Sequence, residues 1–174
     1  MNIILMGYRC TGKSSVGMML ADMLRVPFCD TDEMIQQHTG RTVVEIVRAG
    51  GWPAFRAAEK EIVRGLSGVN GSVIALGGGT PLDRESTGIL KKNGFFIWLS
   101  ADPETIVRRI EGGRDGDDQR PPLSNGEAGE ETGRMLRERM PVYRSLADLT
   151  IETGERTVDQ IAEQIRAHLK NDMR

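Results

Sequence analysis

Short apolar runs alternate with segments of helical apolar spacing along most of the chain. Residues 2–6, NIILM, form an apolar run typical of a buried strand. After a glycine-rich loop, Val16, Met19, Leu20 and Met23 recur at the spacing of one helix face. The chain therefore begins with a strand, a glycine loop and a helix.

The same alternation continues to the end of the chain. Four further strands are predicted at VPFCDTD, SVIAL, FFIWL and LTIET, which begin at residues 26, 72, 95 and 149. Helices are predicted over about 32–39, 43–49, 54–67, 83–92, 102–110, 131–146 and 158–169. Strands that alternate with helices favour a three-layer α/β fold with a mostly parallel five-stranded sheet.

One segment departs from this pattern. Residues 112–130, GGRDGDDQRPPLSNGEAGE, are rich in glycine, proline and charge and have few apolar anchors. A segment this long without periodicity inside a domain is typical of a lid, a binding loop or disorder. We expect residues 1–174 to form one domain, because a chain of this length supports one core.

Composition excludes several classes of function. The net charge of −2, from 23 basic and 25 acidic side chains, argues against nucleic-acid binding through bulk electrostatics. No apolar stretch approaches the roughly 20 residues of a membrane span. The two cysteines and two histidines lack metal-ligand spacing. We expect a cytoplasmic protein whose N-terminus is mature sequence and not a signal peptide.

The basic residues are mostly arginine, with 18 Arg and only 5 Lys. Arginine suits two-pronged contacts with carboxylate and phosphate groups. A composition bias of the genome explains the excess equally well. The position of each arginine therefore has to decide its role.

The glycine loop carries the clearest chemistry. Gly7, Gly12, Lys13 and Ser14 satisfy the pattern G-x-x-x-x-G-K-[ST] between a strand and a helix. The glycines let backbone amides point inward, the lysine reaches the β- and γ-phosphates, and the serine hydroxyl ligates Mg²⁺. The sequence therefore predicts a site for a nucleoside triphosphate. The residues expected to hold it are Cys10, Thr11, Gly12, Lys13, Ser14 and Ser15.

Among proteins with this loop, the chain best fits the small-molecule kinases. It lacks the Asn-Lys-x-Asp sequence of guanine-specific switches. Its third strand ends in glycines, whereas motor-type ATPases have an acidic residue at the end of a later strand. Asp30 and Asp32 instead end the second strand, where the carboxyl edge of the sheet faces the phosphates.

These residues together resemble the shikimate kinase family, whose members are small P-loop kinases that phosphorylate the 3-hydroxyl of shikimate with MgATP. The resemblance spans most of the chain, since six elements occur in the family's order. They are the P-loop at 7–14, DTD at 30–32, FR at 55–56, GGG at 77–79, RP at 120–121 and RMPVY at 139–143. The resemblance implies ATP and shikimate as substrates, Mg²⁺ as cofactor and a monomer.

The resemblance also assigns roles around the acceptor. Arg56 and Arg139 resemble the family's clamp for the carboxylate of shikimate, and Glu59 lies one helical turn after Arg56, where it can orient that arginine. Asp32 resembles the residue that hydrogen-bonds the ring hydroxyls, and it is the candidate general base because no histidine lies in a motif. Asp30 is expected to help hold Mg²⁺ through water, although either aspartate also suits a helix cap.

Further roles are implied for glycines and arginines. Gly78 is expected to donate its amide to the substrate, and Gly79 to shape the pocket. Arg109 resembles the residue that stacks on adenine, and Arg120 resembles a lid arginine that closes over the phosphates. The catalytic residues expected from the resemblance are Lys13, Asp32 and Arg120.

The chain departs from the family pattern in four places. Cys10 stands where the loop often has glycine, and Val47 where many members have a phenylalanine in the acceptor pocket. Trp52 and Pro53 replace the usual acidic start of the FR helix, and Pro122 alters the lid sequence. Two alternatives stay open: another small-molecule kinase, such as a gluconate kinase, or a nucleotide-binding module without catalysis.

Overall fold

The computed structural model describes residues 1–112 and 128–172, and these residues contain five strands and seven α-helices. The strands are β1 (Asn2–Met6), β2 (Phe28–Asp30), β3 (Val73–Ala75), β4 (Gly94–Ser100) and β5 (Leu149–Glu152). The helices are α1 (Lys13–Leu24), α2 (Thr31–Thr39), α3 (Val43–Gly65), α4 (Arg84–Lys91), α5 (Pro103–Glu111), α6 (Ala128–Leu146) and α7 (Val158–Asp172). Short 3₁₀ turns occur at Leu66–Gly68 and Thr80–Leu82.

The five strands form one sheet in the order β2-β3-β1-β4-β5, and every pairing is parallel. This confirms the predicted three-layer α/β class. Strand β1 lies at the centre, paired with β3 on one side and β4 on the other. Because all strands run in one direction, the segments that follow them meet at one edge of the sheet.

Helices cover both faces of the sheet. Alternate residues of β1 point to opposite faces, as the two-residue period of a strand requires. Leu5 packs with residues of α1 and α7, such as Leu20 and Ile165. Ile4 packs on the other face with residues of α3, α4 and α6, including Tyr143. The core therefore consists of two apolar layers that hold the carboxyl edge of the sheet in place.

The long helix α3 contains a break that the sequence predicts. Gly51 has a positive φ of 70° with ψ −179°, so two helical segments meet there at a kink. The predicted gap between helices at 43–49 and 54–67 matches this break. Pro53 lies in the first turn of the second segment, where its missing N–H costs no hydrogen bond. The kink brings both segments toward the glycines that follow β3.

Candidate active site

The loop after β1 is held closed by contacts to its own backbone. Gly7 has φ 152°, and a Cβ there would lie 2.9 Å from Thr11 Oγ1 and overlap the Leu99 carbonyl. The Thr11 hydroxyl and the Lys13 ammonium both donate to the carbonyl oxygen of Tyr8, at 2.8 and 2.7 Å. The loop therefore curls back on itself, and only glycine fits at its first position.

The first turn of α1 follows this loop directly. Gly12, with φ 88°, is the N-cap residue and has no side chain with which to cap the helix. The amide groups of that turn are consequently available to an anion, and the helix dipole adds partial positive charge there. Cys10 also adopts a positive φ of 59°, which is unusual for a residue other than glycine. The loop has the geometry of a phosphate cradle.

A serine and a carboxylate meet beside this cradle. The Ser14 hydroxyl donates to Asp30 Oδ2 at 2.5 Å, and the backbone amide of Asp32 donates to Asp30 Oδ1 at 2.9 Å. Asp30 thus caps α2 and faces α1 at once. Hydroxyl and carboxylate oxygens are ligands that Mg²⁺ accepts, and Mg²⁺ usually keeps waters and substrate phosphates as further ligands. No group of three or more His, Cys, Asp or Glu side chains suited to a metal occurs within residues 1–112 and 128–172.

Next to the cradle lies an open cavity with about 440 Å³ of empty space, which includes open solvent. Three arginines and two carboxylates line it together with glycines and aromatic rings. The lining residues are Tyr8, Arg9, Asp32, Val43, Trp52, Phe55, Arg56, Glu59, Gly77, Gly78, Gly79 and Arg139. The structure therefore brings together all five residues that the sequence assigns to the acceptor: Asp32, Arg56, Gly78, Gly79 and Arg139.

Arg56 is held by a buried carboxylate. Its guanidinium forms an ion pair with Glu59 Oε2 one helical turn later, as the sequence predicts. Glu59 is only 3% exposed, and its other oxygen accepts a hydrogen bond from the Thr80 hydroxyl at 2.7 Å. A Cβ on Gly79 would overlap the Arg56 guanidinium, so the glycine makes room for that side chain. Arg56 therefore has a fixed orientation along the cavity wall.

Arg139 reaches the same cavity from α6. It is 5% exposed, and its Cζ lies 5.4 Å from the centre of the Tyr8 ring. Its Nε is buried without a hydrogen-bond partner among residues 1–112 and 128–172. A guanidinium with unmet donors at a cavity wall favours an anionic ligand such as a carboxylate.

Tyr143 holds the backbone of the three glycines at 77–79 in place. Its hydroxyl donates to the carbonyl oxygen of Gly78 at 2.5 Å. Burial raises the pKa of this phenol to about 12, so it stays protonated at neutral pH and keeps its donor. The added Cβ of an alanine at position 78 would lie 3.3 Å from both Arg139 Nη1 and the carbonyl oxygen of Gly7. A side chain at position 78 would therefore be crowded against the Arg139 side chain and the phosphate loop.

A second, open cavity has about 860 Å³ of empty space, including open solvent, and is lined by residues of α5 and of the segment after β5. Arg109 lines it and donates to the carbonyl oxygen of Cys10 at 3.1 Å and to that of Thr153 at 3.2 Å. This arginine therefore connects the cradle to the segment after β5. The expected contact with adenine stays a prediction, and the side chain that would make it both lines this cavity and contacts the backbone of the phosphate loop.

Other sequence predictions have different outcomes. Val47 packs among the apolar residues of α2 and α3, and Val43, one helical turn earlier, lines the acceptor cavity in its place. Arg120 and most of the predicted lid fall in residues 113–127, outside the described part of the chain, and remain predictions. Within the described ranges, no helix is both long and apolar enough to cross a membrane.

Sequence reasoning missed several residues of the cavity. Tyr8 and Arg9 occupy positions of the glycine pattern at which any residue is allowed, so the pattern drew no attention to them. Tyr143 belongs to the RMPVY element, yet its contact with Gly78 was not predicted. An aromatic residue and an arginine inside a phosphate loop were the available signal.

Comparisons with known proteins agree with this geometry. The family model for shikimate kinase matches residues 9–170. A shikimate kinase of Syntrophus aciditrophicus (strain SB) is 42% identical, over 94% of this chain and 88% of that protein. A shikimate kinase of Pelotomaculum thermopropionicum (strain DSM 13744 / JCM 10971 / SI) is 41% identical, over 97% of this chain and 95% of that protein.

Solved structures are similar over the full length. A shikimate kinase from Acinetobacter baumannii in complex with shikimate has a TM-score of 0.90 and 30% identity, over 99% of this chain and 95% of that one. A shikimate kinase from Aquifex aeolicus vf5 has a TM-score of 0.83 and 28% identity, over 99% of this chain and 98% of that one. The likeness therefore covers the residues that line both cavities and those of the phosphate loop.

Proposed function

The chain belongs to the shikimate kinase family, and we propose that its two cavities receive the two substrates of that family's reaction. The protein transfers the γ-phosphate of ATP to the 3-hydroxyl of shikimate, a step on the route to chorismate and the aromatic amino acids. The observation that carries our assignment of sites is the convergence of Arg56 and Arg139 on one cavity, with the phosphate loop in its wall.

In the acceptor cavity, the two guanidinium groups bind the carboxylate of shikimate. The ion pair with Glu59 orients the Arg56 guanidinium. The buried Nε of Arg139 has no hydrogen-bond partner among the described residues, so it is available to the carboxylate. Two planar cations from different helices suit a carboxylate, because each offers parallel N–H donors. Gly78 and Gly79 leave backbone close to the ring, with no side chain between.

Asp32 hydrogen-bonds the ring hydroxyls and accepts the proton of the attacking one. It lies in the first turn of α2 and lines the cavity together with the phosphate loop. A carboxylate suffices as base, because phosphoryl transfer depends mainly on positioning and on stabilisation of charge. The 3-hydroxyl consequently faces the γ-phosphate when both substrates are bound.

ATP lies with its phosphates in the loop from Cys10 to Ser15 and its base toward the second cavity. The amides of the first turn of α1 bind the phosphates, and Lys13 exchanges its contact with the Tyr8 carbonyl for phosphate oxygens. Arg109 lies at the second cavity, where a flat guanidinium offers a surface for adenine to stack on.

Ser14 and Asp30 are the residues that hold Mg²⁺ in this proposal, the serine directly and the aspartate through water. Their oxygen atoms fit the ion, and both lie beside the cradle. When bound, the ion neutralises phosphate charge and orients the phosphoryl group for transfer. The hydrogen bond between Ser14 and Asp30 also joins the first turn of α1 to the end of β2.

The proposal includes a cytoplasmic monomer that binds neither nucleic acid nor membrane. The five residues assigned to the acceptor line one cavity of this chain, which supports an acceptor site that needs no second copy. Neither Cys10 nor Cys29 forms a disulfide in the described part of the chain, as in proteins of a reducing compartment. The nearly balanced charge gives no electrostatic attraction for nucleic acid.

The proposal is tested by measuring ADP formation from MgATP with shikimate, with gluconate or with no acceptor. We expect rapid ADP formation with shikimate only. Gluconate is a carboxylated polyol as well, so it tests whether the cavity selects more than a carboxylate and hydroxyls. ADP formation that responds to gluconate alone contradicts the acceptor assignment, and formation that ignores both acceptors contradicts kinase activity.

A further inference from the structure

A third arginine, Arg9, lines the acceptor cavity from the phosphate loop. It lies between the two glycines of the loop, and it borders the acceptor cavity and not the second cavity. Its Cζ is 6.0 Å from the centre of the Tyr8 ring, and the Cζ of Arg139 is 5.4 Å from the same ring. The Tyr8 ring therefore supports two guanidinium groups at one wall of the cavity.

The Arg9 guanidinium has unmet hydrogen-bonding capacity. Its Nε is buried and has no hydrogen-bond partner among residues 1–112 and 128–172, which is also true of Arg139 Nε. Leaving such a donor buried and unpaired costs free energy, and more when the group is charged. A ligand that accepts hydrogen bonds from both arginines would remove this cost at two positions.

The charges around the cavity point to an anionic ligand group. Glu59 is occupied by Arg56 and by the Thr80 hydroxyl, so it does not balance Arg9. No ion pair joins Arg9 to a carboxylate within the described ranges. Three arginines against two carboxylates leave the lining of the cavity positive.

We propose that Arg9 is a third acceptor-binding guanidinium, which contacts the carboxylate of the acceptor from the side of the phosphate loop. This inference rests on the proposed function and adds a specificity residue to it. Arg139 and Arg9 then bind the carboxylate over the face of Tyr8, while Arg56 binds it from the opposite helix. The acceptor is consequently held by the same loop that holds the phosphates.

This arrangement links the two substrates. The backbone of Arg9 belongs to the cradle, so an acceptor that fixes the side chain also restricts the loop that must bind phosphate. Coupling between two binding sites is reciprocal, since each ligand changes the affinity for the other by the same factor. Nucleotide is therefore expected to tighten shikimate binding, and removal of the Arg9 guanidinium is expected to weaken this coupling.

The test is calorimetric titration of the whole protein with shikimate, with shikimate methyl ester and with MgADP. The variants are Arg9→Met and Arg9→Gln. Glutamine keeps a polar hydrogen-bond donor, so Arg9→Gln is informative even where methionine at position 9 disturbs the local structure. Arg64→Met is the control, because Arg64 is an exposed arginine paired with Glu85 far from the cavity. Circular dichroism checks that each variant is folded.

We expect both Arg9 variants to bind shikimate about tenfold more weakly, while their affinity for MgADP alone changes by less than about twofold. Esterification removes the negative charge of the carboxylate. The ratio of the affinity for shikimate to that for the methyl ester should therefore be about tenfold smaller in the variants than in the parent protein. Arg64→Met should match the parent protein in all three titrations.

Two results would overturn the role of Arg9. One is an unchanged affinity for shikimate in both variants, and the other is a loss confined to MgADP, which would assign Arg9 to the phosphates. A parent protein that binds no shikimate contradicts the proposed function itself. Binding by the parent protein with no change in the variants contradicts only this inference.

Discussion

The Ser14 hydroxyl donates a hydrogen bond to Asp30 Oδ2 across 2.5 Å. This contact joins the first turn of α1, where phosphate is expected, to the end of β2. The other oxygen of Asp30 accepts from the backbone amide of Asp32, the candidate base on the acceptor side. One carboxylate therefore links the nucleotide cradle to the helix that carries the candidate base.

Asp30→Asn separates the two roles of this carboxylate. The amide oxygen still caps α2, whereas the negative charge beside Ser14 is lost. We expect the Mg²⁺ concentration for half-maximal activity to rise about tenfold, with a loss of stability below about 1 kcal/mol. Asp30→Ala should show the same metal effect and lose about 1 kcal/mol more, since the cap is gone. Magnesium titrations and urea unfolding measure both, and an unchanged metal requirement contradicts the assignment.

Gly79→Ala tests the orientation of Arg56. The new methyl group would overlap the Arg56 guanidinium, which is the end of a flexible side chain and can move away. We therefore expect a rise in the KM for shikimate of about tenfold or more, with the free energy of unfolding changed by less than about 1 kcal/mol. Gly88→Ala is the control, because no atom of the described residues lies within 4 Å of the added group. An unchanged KM would show that the position of Arg56 does not matter for the acceptor.

Lys13→Met tests the phosphate cradle. The lysine donates to the Tyr8 carbonyl in this structure, and it is assigned to the phosphates when ATP is bound. Loss of one such donor typically lowers kcat by about 10²–10³-fold, so we expect kcat/KM for MgATP to fall at least that far. Lys91→Met, at the exposed end of α4, should behave as the parent protein does. Steady-state kinetics with varied MgATP measure this effect. A loss of kcat/KM smaller than about tenfold would contradict the assignment of Lys13 to the phosphates.

Asp83 is expected to make the free energy of unfolding depend on pH in the acidic range. A hydrogen bond from Lys60, at 2.7 Å, and the amide and hydroxyl of Ser86 lower the pKa of Asp83 from 3.8 to about 2. A carboxyl whose folded pKa is lowered stabilises the protein above its unfolded pKa and loses this effect as the pH falls through the folded pKa. The stabilisation by Asp83 is thus present above about pH 4 and lost toward pH 2.

The variant Asp83→Asn should therefore be less stable than the parent protein at pH 6, and its stability should fall less steeply between pH 4 and pH 2. Urea unfolding at four or five pH values measures this slope. Glu138→Gln, which changes an exposed carboxylate on α6, is the control and should leave the slope unchanged. Parallel curves for the parent protein and Asp83→Asn would show that the pair with Lys60 does not stabilise the fold.

Much of the fold could be predicted because its signals are local. The apolar run of β1, the glycine loop and the helix spacing after it depend on residues close in sequence. The break in α3 matches the gap between the helices predicted at 43–49 and 54–67, and Gly51 in that gap has a positive φ. The face of the sheet on which each helix packs depends on the whole chain, so local patterns do not predict it.

Parts of the site depended on tertiary packing and escaped the sequence. The sequence drew attention to Val47, whereas Val43 is the valine that lines the cavity. Both residues lie on one helical face, and only packing decides which turn of the helix reaches the cavity. The hydrogen bond from Tyr143 to Gly78 joins distant segments and has no local signal. Arg9 was overlooked because the phosphate-loop pattern treats its position as variable.

The central claim is that the cavity lined by Arg56 and Arg139 is the acceptor site, and calorimetric titration of Arg139→Met with shikimate tests it most directly. Arg137→Met is the matched control, because Arg137 is an exposed arginine on the same helix. We predict one bound shikimate per parent protein and per control protein, with affinity reduced at least about fiftyfold in Arg139→Met. Equal affinity in Arg139→Met and the parent protein would contradict the account.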